Sequence, residues 1–351
     1  MKRIILSFTF VLTAVLLALT IHSCKPKEEN VLVVCSFGGT FQEAQRKAFF
    51  EPFQNETGIT IKEATYSGEA SIIEAMVKSG KVEWDVVDVE HAVLLLGKSK
   101  GLYEPIDYTV VDSSALFPEA VDQHGVGADF YSTLIAYNEQ NYPDPAKRPK
   151  GWSHFWDTKK YPGPRSLRNN PYTTLEFALL ADGVQPDKLY PLDVDRAFAS
   201  LDKLKKNVTV WWTQGQQPPQ LLSDKEVVLS SAWSGRIWNA RKQKQLPLSM
   251  VWQGGLLEPE WWVIPKGAKN KDLAMKFIEF ASRAENQAKM AEYFGVGPTN
   301  KNSFAHLDKN LVAELPTYPE NKAKQVSING EWWAKNQDKV TERWNKWLLE
   351  K

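Results

Sequence analysis

From Val31 onward the chain alternates short β-branched or apolar runs with longer stretches of helical periodicity, and this alternation restricts the fold more than any other feature. Strand-like runs stand at 31–35, 59–66, 84–89, 132–138, 208–212, 227–233, 248–252 and 261–265. Helical spacing occupies 41–54, 70–78, 175–181, 195–205, 235–243, 270–282, 286–294 and 331–349. Val86, Val87 and Val89 suit a sheet covered on both faces, so the pattern reads as α/β layering. At 351 residues the chain exceeds one ordinary core and suits two lobes. A proline-rich stretch at 142–149 marks a crossing, and the block from 261 adds a late strand–helix series. Lobes of 31–135 plus 259–300 and of 136–258 plus 301–351 follow, with more than one crossing and a cleft between them.

Charge is nearly balanced, 43 basic against 42 acidic residues, with no basic run, which excludes a nucleic-acid partner. The N-terminus departs from this soluble average. Lys2 and Arg3 precede an apolar stretch at 4–21, and Ile21-His22-Ser23-Cys24 follows, an export signal ending like a lipoprotein box with His22 unusual in it. Residues 24–30 read as a polar tether. Cys24 is therefore expected to carry lipid; the competing reading is an uncleaved membrane anchor. Cys35 then has no disulfide partner and reads as a small buried hydrophobe.

The turn at Gly38-Gly39-Thr40 joins the first strand to the first helix. A phosphate loop would carry further glycines and a Lys-Ser/Thr pair, which this turn lacks. Thr40 with Glu43 fits a capping box, and the turn sits at a strand's C-terminal end where Phe37 and the glycine backbone can face a cleft. The five histidines are scattered without helical pairing, and no Gly-x-Ser-x-Gly elbow occurs, so neither metal nor triad chemistry is expected.

Six segments carry a family likeness in order: GGTFQEAQRKAFFEPFQNETGI, VKSGKVEWDVVDV, GLYEPID, SAWSGRI, WWVIPKGAKNKDLAMKFIEFA and GVGPTNK. Together they resemble the periplasmic solute-binding proteins of ABC importers, in particular the spermidine/putrescine-binding branch. The resemblance implies a two-lobed, type II-like periplasmic-binding-protein fold that closes on a solute and delivers it to a membrane permease. It implies no catalysis and no cofactor and an extracytoplasmic location; with the N-terminal lipid box, the expectation is a monomer held to the membrane by its lipid.

By the same resemblance, Phe37 and Trp233 supply aromatic walls and Glu260, with Glu258 close by, supplies acid for an ammonium group. A second acidic pair of the polyamine site is replaced here by Asn170 and Thr173, which can hydrogen-bond but cannot neutralise an ammonium. At the family's serine–aromatic position stand Glu90 and His91, Glu90 being either a replacement acid or a helix cap. Tyr131 lies where an aromatic could line the cleft, and Arg236 reads first as a surface arginine, with the cleft as alternative. The expectation is a polyamine or related amine as solute. The alternatives are an amino-acid derivative, opine or sugar in the same class and, further off, an exported glycoside hydrolase using Glu258 and Glu260 or a surface adhesin.

Overall fold

The computed structural model describes residues 30–350, so the export segment and Cys24 lie outside the described residues. Its strands are β1 (Val31–Ser36), β2 (Thr60–Thr65), β3 (Val86–Glu90), β4 (Val121–Asp122), β5 (Gly125–Asn138), β6 (Arg165–Arg168), β7 (Val208–Trp212), β8 (Leu229–Trp233), β9 (Leu248–Val263) and β10 (Val326–Ser327). They follow one another in the order β2-β1-β3-β9-β5-β8-β6-β7, with β4 on β5 and β10 on β9. The two long central strands, β5 and β9, run antiparallel and serve both lobes. The first half of β5 and the end of β9 pair with each other beside β3, whereas the later half of β5 pairs with β8.

The sequence reading broke β9 into two strands around the Gly254–Glu260 segment. The structure keeps it whole, and the pairing of Pro259 shows why a proline is tolerated. Pro259 stands opposite Phe130 of β5. The Phe130 N–H and C=O both bond Gly297, at 2.7 and 2.8 Å, so that side of Pro259 calls for no ladder hydrogen bond. On its other side β3 has already ended, its last pair being Glu90 with Glu260.

Apolar cores lie on either side of this shared pair. In the first lobe Phe49, Phe50, Phe53 and Phe277 pack with Trp262, and Val87, Val89 and Trp261 bury the opposite face of the sheet. In the second lobe Trp152, Phe155, Phe177 and Phe198 pack with Trp333, Trp344 and Trp347 of the terminal helix Gly330–Leu349. The stretch after 300 divides between the two. Leu307 and Leu315 pack with Ala288 and Ala291 of the helix Ala284–Phe294, whereas Val326, Ile328 and the terminal helix pack on the second core.

One local expectation is overturned. The first helix, Gly39–Gln45, has Gly38 at its N-cap, and no side chain of the Thr40–Glu43 pair caps it. Instead Gln42 Oε1 accepts the Gly38 N–H at 3.1 Å, while Glu43 pairs with Lys47 at 3.1 Å. The helix begins one residue earlier than Thr40 because Gly38 and Gly39 hold φ of 66° and 61°, a turn open to glycine at little cost.

Candidate functional site

The shared strands place an unusual set of acids side by side. In the antiparallel register Glu260 of β9 stands opposite both Glu90 of β3 and Asp129 of β5, so three carboxyl groups form one row across adjacent strands. Glu258 stands opposite Tyr131, and Asp88 opposite Trp262. Asp88, Asp129 and Glu258 are nearly fully buried, at 0, 2 and 2 % exposure. Burying a carboxylate costs several kcal/mol unless it is paired or keeps its proton. The row therefore needs partners.

Some are supplied by the protein. Asp88 accepts from Gln45 Nε2 at 2.6 Å. Glu258 accepts the hydroxyl of Tyr172, and Glu90 pairs with Arg168 at 2.7 Å. Glu260 Oε2, Asp129 Oδ1, the Tyr131 hydroxyl and Trp233 Nε1 are withdrawn from solvent with no protein partner. Burial pushes Asp129 up to about 8. Burial, then the charges of Asp88, Asp129 and Glu90, hold Glu260 well above the usual carboxylate range. Glu258 is pushed up to about 8, again chiefly by burial, although Tyr172 and Arg168 oppose the rise.

The residues that carry these atoms line one cavity of about 340 Å³, open solvent at its mouth included. Phe37, Phe41, Phe294 and Val296 of the first lobe form one wall, and Trp233 and Gly235 of the second face them. Asp129, Tyr131 and Glu260 of the shared strands form the floor. Arg236 completes the lining. It is 7 % exposed, and its guanidinium carbon lies 5.4 Å from the Phe294 ring and 6.0 Å from that of Phe41. It donates to Thr40 Oγ1 at 3.3 Å, and among the described residues no carboxylate lies within ion-pair distance of it. Burial lowers its pKa to about 10, with Glu260 acting in the opposite direction. The cavity thus brings together a cation, acids and aromatic surface, the groups that complement a short zwitterion.

Of the residues singled out in the sequence, Phe37, Tyr131, Trp233 and Glu260 line the cavity. Gly39 and Thr40 lie behind its lining, since a Cβ on Gly39 would stand 3.4 Å from Arg236 Nη1 and Thr40 accepts from that guanidinium, whereas Gly38 faces Thr65. Glu258 lies behind the floor, against Tyr172. Others do not reach the cavity. Glu90 is not a free acid, because Arg168 takes it, and it stands at the N-cap of the helix His91–Ser99 without a side-chain bond to that helix. His91 accepts from Trp261 Nε1 at 3.1 Å on the opposite face of the sheet, where burial lowers its pKa to about 4. Asn170 caps the helix Pro171–Ala181 by accepting the Tyr172 N–H at 3.0 Å. Thr173 is fully buried at φ 72°, a strained value for a β-branched residue, and it turns the chain just after Tyr172.

Sequence reasoning passed over Asp129, Phe41, Phe294 and Val296 and ranked Arg236 as a surface group. For Asp129 a signal existed: it is the one charged residue in the otherwise apolar and neutral strand GVGADFYSTLIAYN. Phe41 and Phe294 carried none, because their helical spacing is that of ordinary core residues. Among the described residues no cluster of metal-ligating side chains occurs, and no helix is long and apolar enough to cross a membrane.

Comparison with known proteins accords with this geometry. Residues 48–323 match the family described as bacterial extracellular solute-binding protein. The chain is 39% identical over 338 residues to a gamma-aminobutyric acid-binding protein of Pseudomonas aeruginosa, covering 95% of each. It is 26% identical over 292 residues to the spermidine/putrescine-binding periplasmic protein of Escherichia coli, covering 80% of this chain and 81% of that one. A solved GABA receptor superposes with a TM-score of 0.83 at 38% identity, over 91% of this chain and 98% of the other. The Agrobacterium tumefaciens R10 protein AgtB in complex with agropinic acid gives 0.84 at 36% identity, over 91% and 99%. AttC of Agrobacterium tumefaciens C58, open and unliganded, gives 0.66 at 31% identity over the same shares.

Proposed function

The chain belongs to the bacterial extracellular solute-binding proteins, the substrate-binding components of ABC importers, and from that premise we propose that its solute is an amino-acid derivative. The solute carries one ammonium and one carboxylate on a short flexible chain; a 4-aminobutyrate-like ω-amino acid fits this description, and a compact opine is the second member of the class. The relatives and neighbours are binding proteins and not enzymes. The family places the body of the protein outside the cytoplasmic membrane.

The observation that carries the reading is Arg236, a buried guanidinium with no carboxylate of its own, lining the same cavity as Glu260 and Asp129. A solute carboxylate on Arg236 and a solute ammonium on the acid row satisfy both ends, while Phe37, Phe41 and Trp233 cover the methylenes. This displaces the polyamine expectation. A diamine would set a second ammonium against Arg236, and like charges in a buried site are costly. The polyamine-binding relatives are the more distant ones.

Calorimetric titration of the purified protein with 4-aminobutyrate, agropinic acid, glucopine and putrescine tests the reading. Saturable binding of a zwitterion with putrescine at least tenfold weaker is expected; tighter putrescine binding would overturn it. We also propose that Cys24 carries the lipid anchor of a monomer that engages permease subunits in the membrane. Fatty-acid labelling that persists in Cys24→Ser would exclude that anchor.

A further inference from the structure

Arg168 ends β6 in the second lobe, and Glu90 ends β3 in the first, 78 positions earlier. Their side chains meet at 2.7 Å with 11 and 10 % exposure, and the guanidinium carbon lies 5.0 Å from the ring of Trp233, which lines the cavity. Glu90 is the outer member of the carboxyl row whose other members, Glu260 and Asp129, line the same cavity. Arg168 Nη1 has no protein partner. The remaining charges near the pair are Glu258, bonded to Tyr172, and Asp88, bonded to Gln45 and Ser36.

This arrangement has a consequence for selectivity that rests on the zwitterion reading and deepens it. We propose that Arg168 sets the charge count of the cleft: by occupying Glu90 and covering Trp233 it keeps from the cavity an acid that stands next to Glu260 in the row, and so restricts the site to solutes with one ammonium. Three acids in a row would favour a diamine. With Glu90 taken, Glu260 and Asp129 remain for a single ammonium, and Arg236 answers the carboxylate. Arg168 is thus a specificity-determining residue that acts through Glu90 and the face of Trp233.

The test compares the full chain with Arg168→Met, Arg168→Lys, Glu90→Gln and the double variant Glu90→Gln/Arg168→Met, each titrated with 4-aminobutyrate and with putrescine. Arg168→Met frees Glu90 and is expected to bind putrescine at least tenfold more tightly than the parent does. Arg168→Lys keeps the pair and the parental preference. The double variant, lacking the freed acid, loses the gain. Glu90→Gln leaves a cation unanswered and weakens putrescine further. A purely structural role for the pair would weaken both ligands by the same factor in Arg168→Met. That result, or unchanged putrescine affinity, overturns the proposal. Should Arg168→Met fail to fold, Glu90→Gln with unaltered putrescine affinity overturns it equally. The parental titration with 4-aminobutyrate alone tests the zwitterion reading, so the two can fail separately.

Discussion

A guanidinium withdrawn from water without an opposing carboxylate is costly, and aromatic faces and one hydroxyl do not offset that fully. Arg236 is in this position, with Phe41, Phe294 and Thr40 as its neighbours. If its role is to receive a solute carboxylate, Arg236→Met should weaken zwitterion binding by about 100-fold, within the 2–5 kcal/mol typical of breaking a buried charge pair. Arg236→Lys should restore only part, because an ammonium lacks the planar fork. The free protein should gain stability in Arg236→Met, since an unpaired buried charge is removed. Equal affinities in parent and Arg236→Met would detach the residue from binding. At this scale the sequence was informative about residue types and poor about burial. Arg236 follows a strand and opens a polar-looking helix, and what buries it, Thr40 and Phe41, lies about two hundred positions away, beyond the reach of local pattern.

Among the elements, the short strands and most helices were legible, because β-branched runs and 3.6-residue spacing are local properties. The length of β5 and β9 was not. Their shared segment carries Gly127, Asp129, Gly254, Gly255 and Pro259, residues that mark loops in isolation and are accommodated here only through neighbours brought in by the fold. The same holds for the terminal helix. Its tryptophans promised a buried face, but its specific anchor is an acid on another helix. Glu176, fully buried, accepts at 2.6 Å from both Trp333 Nε1 and the Tyr190 hydroxyl. Trp333→Phe removes one of these donors and should cost about 1–3 kcal/mol in urea unfolding. Solute affinity should stay within about twofold, because the helix does not line the cavity. Burial raises Glu176 to about 7, so Glu176→Gln should be better tolerated than Trp333→Phe. The opposite ranking would remove the acid from the anchoring role.

For the whole molecule, the two lobes share their central strands, so the acids that line the cavity or back its floor are also groups the folded state must bury. Asp129 and Glu258 titrate near 8 in the folded chain, raised by burial from the roughly 4 of an unfolded chain. Between those values the folded state holds protons that the unfolded state has released. Their contribution to stability is therefore fully present below about pH 4 and is lost as pH rises through about 8. Thermal unfolding of the unliganded protein should occur at a lower temperature at pH 8 than at pH 5.5, and Glu258→Gln should flatten that dependence. An ammonium placed on the row favours the ionised carboxylates and draws their protons off. Binding should consequently release protons and tighten as pH rises from about 6 to 8, opposite in sign to the change in stability. Titration near pH 7 in buffers of different ionisation enthalpy measures that release directly. Proton release that vanishes in Asp129→Asn would assign it to the floor of the cavity. No release in the parent would mean that binding leaves the protonation of the row unchanged, and would count against an ammonium seated on it.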